Sequence, residues 1–135
     1  MKDNIKMGLK GRITITDQNN VALFDDNNQI EPSALEIITR CLTQRDFSKS
    51  INRIKAYGDF GESEANISHT EYLPIESAIL LRAVFLETDF NGTVTDLELR
   101  CSALDLVFAS KHDLNITKDG SARVQVDWKI FVTIN

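Results

Sequence analysis

The fold is decided by residues 122–134, which read ARVQVDWKIFVTI. Apolar side chains occupy every second position of this stretch, and mostly polar or charged side chains fill the positions between them. An alternation with a period of two predicts a β-strand that turns one face to a core and the other to water. At about 3.3 Å per residue the strand spans roughly 40 Å, so we expect it to cross a whole sheet.

The preceding third of the chain also favours strands. Residues 77–90 contain a near-continuous apolar run, which is typical of a central strand covered on both faces, although a buried helix is the alternative. Asn91 and Gly92 follow this run, and an Asn-Gly pair predicts a hairpin turn. Three further segments are a strand at 93–101 with Leu97, Leu99 and Cys101 on one face, a short strand at 104–109, and a polar loop at 111–120.

The first half of the chain gives a hairpin, a helix and a weakly patterned segment. We expect a strand at 11–16, a turn at 17–20, a return strand at 21–24, a second polar turn at 25–28, and a strand at 51–57. Residues 58–70 have two glycines, three acids and no apolar period. They are interpreted as a long loop and, with the N-terminal residues, as a candidate contact segment.

One amphipathic helix is predicted at about residues 32–43. Ser33 and Glu36 have the spacing of a capping box, which satisfies backbone amides at a helix start. The expected apolar stripe consists of Ala34, Leu35, Ile38, Cys41 and Leu42. A helix this short needs a sheet to pack against.

Together these segments predict a mainly β fold. Seven to eight strands without a βαβ rhythm favour an antiparallel β-sandwich or barrel with the helix packed on it. The 135 residues suffice for one domain, 1–135, in which residues 1–8 form a mobile or contact arm.

Composition argues against several functions. The net charge of −5 argues against binding nucleic acid, because phosphate contacts need a surplus of lysine and arginine. No apolar run reaches the roughly 18 residues of a membrane span, and no secretory signal is evident at the N-terminus. Cys41 and Cys101 are therefore expected to be reduced, buried thiols.

Motifs for chemistry are not evident, so no residue is predicted to be catalytic, to bind a cofactor or to ligate a metal. His69 and His112 stand in polar segments without ligands at zinc spacing. Residues 25–31 look like a calcium loop but have no glycine at the sixth position. We therefore expect a protein that is not an enzyme.

The order of these segments resembles small structural proteins of tailed-bacteriophage virions. The similar pieces are the run Leu-Phe-Asp-Asp-Asn-Asn-Gln-Ile at 23–30 followed by the helix, the strand end at 51–58, Asn91-Gly92 followed by Val94, Asp96, Leu97 and Leu99, the strand at 106–110, and Val126, Trp128, Ile130 and Val132 in the last strand. The resemblance covers residues 9–134.

This resemblance implies a ring, neck or tail-associated protein. Its expected partners are other copies of itself in a ring and virion components such as portal, neck or tail proteins, with no membrane and no sequence-specific nucleic acid. Its expected location is the virion, after synthesis in the bacterial cytoplasm. A carbohydrate- or receptor-binding β-sandwich is the alternative, for which Tyr57, Phe60 and Tyr72 are the available loop aromatics.

Overall fold

A computed structural model describes residues 7–44 and 50–134. These described residues form nine β-strands and one α-helix. Their bounds are β1 (Met7–Asp17), β2 (Ala22–Ile30), α1 (Ala34–Gln44), β3 (Arg53–Gly58), β4 (Gly61–Leu73), β5 (Ala78–Phe85), β6 (Gly92–Cys101), β7 (Leu106–Lys111), β8 (Ile116–Lys118) and β9 (Val124–Ile134). Most of the predicted N-terminal arm, residues 1–6, lies outside the described residues.

Eight of these strands close into an antiparallel barrel. The order around it is β1-β2-β7-β6-β3-β4-β5-β9, and β9 returns to β1. The short β8 adds to β6 beside β7. The predicted mainly β fold with one helix is confirmed, and of the two architectures left open the barrel is the one observed.

The last strand, β9, buries the apolar face that its alternation predicts. Val124, Val126, Trp128 and Ile130 are buried, and Trp128 is fully enclosed. The Trp128 indole donates a hydrogen bond of 3.0 Å to the side-chain oxygen of Asn28, so the one polar atom of this ring is satisfied inside the barrel. Neighbouring strands β1 and β5 pair with β9 along nearly its full length.

The predicted loop at 58–70 is wrong, because this segment is mostly strand. Residues 61–73 form β4, which pairs with β3 and then with β5. Ser63 and Ala65 stand on its inward face, opposite Ala56 and Ile54. Since these inward side chains are small, the sequence lacks the apolar alternation by which a strand is recognised.

Two predicted turns are also wrong. Residues 25–28 belong to β2 and pair with β1, and Asp25 lies 2.8 Å from the Arg12 guanidinium across that ladder. Asn91-Gly92 does not make a hairpin, since β5 pairs with β4 and β9 whereas β6 pairs with β3, β7 and β8. The link at 86–91 instead crosses one end of the barrel.

The helix forms where expected, but its buried face is shifted from the predicted stripe, of which Ala34, Ile38 and Cys41 contact the core. Ala34 and Ile37 are buried and Ile38 and Cys41 pack against the core, whereas Leu35 and Leu42 point to solvent. Ser33 does not act as the predicted capping-box residue, because its hydroxyl donates to the carbonyl of Val107 on β7. The start of the helix is thereby tied to β7.

Residues 111–120 are not a plain loop. Leu114, Ile116 and Lys118 alternate inward, and all three are buried beside β6. The strand β8 within this segment closes the same end of the barrel as the 86–91 link.

One interruption in the barrel wall, called here the seam, lies between β2 and β7. These two strands pair only at Gln29 and Ile30. The rest of β2, from Ala22 to Asn28, faces the seam with the edge that is turned away from β1.

Candidate functional site

The end of the barrel at the β4–β5 turn carries exposed apolar side chains. Ile75 at the tip is fully exposed, Tyr72 is 68% exposed and Ile79 is 42% exposed. With Val132 of β9 these residues form a surface that we call the apolar end.

The apolar end exists because the β4–β5 hairpin extends beyond the covered core. Tyr72 pairs with Ile79 and Ile79 pairs with Ile130, so the three side chains form one row on the inward face of the sheet. Ile130 is only 3% exposed, whereas the other two open onto solvent. The inward face of the barrel thus continues past its covered interior and onto the surface.

The hairpin is held in a defined place. The amide of Val132 donates to the carbonyl of Ser77 over 2.9 Å, and Ser77 adopts a positive φ of 52° at the end of the turn. Lys129 of β9 contacts Glu76 in the turn at 2.9 Å. Beside the tip, Tyr72, Ser77, Ala78, Ile79 and Val132 line a hollow of about 300 Å³. A raised apolar tip next to an apolar hollow is a shape that can interlock with another protein surface.

Neither a family model, nor a curated protein, nor a solved structure matches this chain. The apolar end is therefore interpreted from its own geometry.

The outer face of β3, β4 and β6 is polar and internally paired. Glu98 accepts a hydrogen bond of 2.6 Å from Tyr57 and contacts Arg100 at 2.8 Å, and Lys55 contacts Glu62 at 3.2 Å. Burial, with the bond to Glu98, raises the pKa of Tyr57. Because these groups pair with one another, this face is an internally paired polar wall of the barrel.

The two histidines have single acidic neighbours. His112 Nδ1 lies 2.8 Å from Asp96 on β6, and this hydrogen bond lowers the pKa of Asp96. His69 lies in β4, not in a loop, with its Nε2 3.6 Å from Glu71. Within residues 7–44 and 50–134, no group of three or more His, Cys, Asp or Glu residues has a metal-binding arrangement.

The cysteines lie at two depths. Cys101 is fully buried on β6 and Cys41 is half-buried against the core. The sequence predicts burial of both thiols; Cys101 is fully buried, whereas Cys41 is only partly buried.

Lys118 is a buried polar residue within the segment 111–120, for which the sequence predicts a polar loop. It is 1% exposed, and its Nζ donates to the carbonyls of Phe90 at 2.6 Å, Glu87 at 3.0 Å and Asp119 at 3.3 Å. It also lies 4.8 Å from the centre of the Phe90 ring. Lys118 thus fastens the 86–91 link to β8, and the alternation of Leu114, Ile116 and Lys118 was the available signal for its burial.

The surface also holds two adjoining polar grooves around Arg123. One is lined in part by Glu64, Asn66 and Asp89, and the other by Asp17 and Asn20. Arg123 itself contacts Glu87 at 2.5 Å.

In the described part of the chain no helix is long and apolar enough to cross a membrane.

Proposed function

We propose that this chain is a non-enzymatic structural protein of a tailed-bacteriophage virion, which assembles into a ring or into a neck- or tail-associated layer. The observation that carries the proposal is the apolar end, with its fully exposed Ile75 and the adjoining hollow. The assignment to a tailed-bacteriophage virion rests on the resemblance of residues 9–134 to the structural proteins of such particles.

The energetics favour burial of this surface in a contact. Covering a fully exposed isoleucine side chain contributes about 1.5–3 kcal/mol. A standard protein interface has roughly 20–30 residues on each side, so the few side chains of the apolar end would form the centre of a larger contact. Such a contact suits a protein that is surrounded by neighbours in an assembly.

The proposed partners are other copies of this chain and neighbouring virion proteins such as portal, neck or tail components. A closed ring gives each copy the same two neighbours and leaves no contact surface unfilled. The proposed location is the virion, after synthesis in the cytoplasm of the bacterial host.

The carbohydrate-binding alternative has little aromatic surface to use. Of the three aromatics considered for it, Tyr57 is bonded to Glu98 and Phe60 is stacked on Phe90 at 4.3 Å. Tyr72 is the one that is mainly exposed, and it belongs to the apolar end.

Mass spectrometry of gradient-purified tailed particles tests the proposal. We expect peptides of this chain in the particle fraction, in several copies per particle and retained after a high-salt wash. Its confinement to the soluble fraction of the lysate would contradict the proposal. A monomer that binds glycans in an array, and loses this binding with Tyr72→Ala, would support the alternative instead.

A further inference from the structure

The seam leaves one edge of β2 without a strand partner over most of its length. Within the described residues, β7 pairs with β2 only at Gln29 and Ile30. The amide of Glu31 donates to the carbonyl of Phe108, which continues this ladder by one position on each strand. Since main-chain groups alternate along a strand, Asp25 and Asn27 also turn their N–H and C=O groups toward the seam.

Side chains cover part of this edge. Lys111 Nζ lies 3.1 Å from the carbonyl oxygen of Asn27, 3.6 Å from the Asp26 carboxylate and 5.6 Å from the centre of the Phe24 ring. The Asp26 carboxylate accepts the Asn27 amide over 2.7 Å. Charged side chains laid over a strand edge are a known means of preventing another strand from pairing there.

The charges at the seam indicate which kind of strand could replace the contacts of Lys111. A strand that displaces Lys111 leaves Asp26 without its cation, so the incoming segment should bring a lysine. The β2 edge of a second copy would bring another acidic pair, Asp25 and Asp26, and like charges across a ladder are unfavourable. Residues 1–6 read MKDNIK, with Lys2 and Lys6 against a single acid.

The length of this segment favours pairing between copies over pairing within one copy. Met7 pairs with Ile134 at one end of β1, and Thr14, the partner of Asp25, lies seven residues further along. To reach Asp25 in its own chain, the segment would have to reverse, climb roughly 23 Å and cross β2. Six residues extend to at most about 22 Å, so they cannot reach and then pair.

We propose that the seam is a strand-addition site for residues 1–6 of a second copy, and that Lys111 holds this site closed in the isolated chain. The inference rests on the proposed assembly role and names one of its contacts. Because the segment and the seam are different surfaces, the contact is head-to-tail and can close a ring.

A variant cycle with sedimentation equilibrium tests the role of Lys111. In Lys111→Gln we expect the concentration for half-assembly to fall roughly three- to tenfold, as expected when a hydrogen bond that competes with assembly is removed. Lys55→Gln, which removes a lysine paired with Glu62 on the outer face of β3, away from the seam and the apolar end, should leave it unchanged. Deleting residues 1–6, so that the chain starts at Met7, should weaken assembly and abolish the effect of Lys111→Gln.

Disulfide trapping tests the contact itself and remains informative when assembly is weak. A chain with Ile5→Cys is mixed with a chain with Asn27→Cys, and a disulfide between positions 5 and 27 is expected. In the control mixture the second chain carries Leu86→Cys instead, and the disulfide between positions 5 and 86 is expected at a lower yield. Equal yields, or a Lys111→Gln effect that persists after the deletion, would overturn the inference. If either result is obtained and the chain is still found in particles, the strand-addition site is wrong and the proposed function stands. If the chain is absent from particles, the proposed function is wrong, and the trapping yields still decide the strand-addition site.

Discussion

Removing the buried amine of Lys118 should destabilise the fold by a predictable amount. In Lys118→Met the side chain still fills its space, but the carbonyls of Phe90, Glu87 and Asp119 lose their donor. The bond to Phe90 is fully buried, so its carbonyl becomes an unsatisfied acceptor at a cost of about 1–3 kcal/mol. The other two bonds are partly accessible to water and contribute about 0.5–1.5 kcal/mol each.

The expected loss is therefore about 2–6 kcal/mol in the free energy of unfolding. Urea unfolding followed by the fluorescence of Trp128, the single tryptophan, measures it. The control is Lys10→Met at an exposed position of β1, which should change stability by less than about 0.5 kcal/mol. If Lys118→Met is as stable as the natural chain, the amine does not fasten the 86–91 link.

Three further predictions concern single residues. Trp128→Phe should lower the free energy of unfolding by about 2–4 kcal/mol, because it opens a cavity and leaves Asn28 Oδ1 without its donor. Thermal or urea unfolding followed by circular dichroism measures this, and a loss below about 1 kcal/mol would contradict the packing of Trp128 in the core. Gly58→Ala should lower the melting temperature, since its Cβ would lie 1.9 Å from the Thr93 carbonyl oxygen and force β3 and β6 apart; an unchanged melting temperature would show that this approach is not close. Asp96→Asn should lower stability at pH 7, and the difference should shrink as the pH falls below about 4, because a carboxyl whose pKa is lowered in the folded state contributes fully above its unfolded pKa and loses this contribution as the pH falls through the lower folded value. A stability difference that does not shrink in acid would exclude this cause.

The sequence predicts those parts of the barrel whose burial is regular. The alternation of β9 is visible because this strand packs one face on the core from Val124 to Ile130. In β4 the inward positions are held by small residues such as Ser63 and Ala65, so the alternation cannot be seen. The residue types of Asp25 and Asn28 favour turns locally, but pairing with β1 overrides that preference.

Topology and surfaces depend on contacts between distant segments. Asn91-Gly92 has hairpin chemistry, yet the strands on either side of it find other partners in the barrel. The helix has two possible apolar faces, and its contact with β7 selects the one containing Ile37 over Leu35 and Leu42. The apolar end follows from how far the β4–β5 hairpin extends beyond the covered core, which a single sequence does not specify.

Sedimentation velocity on the purified chain and on Ile75→Lys tests most directly whether the apolar end mediates assembly. We predict that the natural chain, of 15.2 kDa per copy, forms larger species as its concentration rises. Ile75→Lys should weaken this association about 10- to 100-fold, whereas Leu86→Lys, an equal change at an exposed leucine elsewhere, should not. A natural chain that stays monomeric at high concentration, or an Ile75→Lys variant that assembles as the natural chain does, would contradict the account.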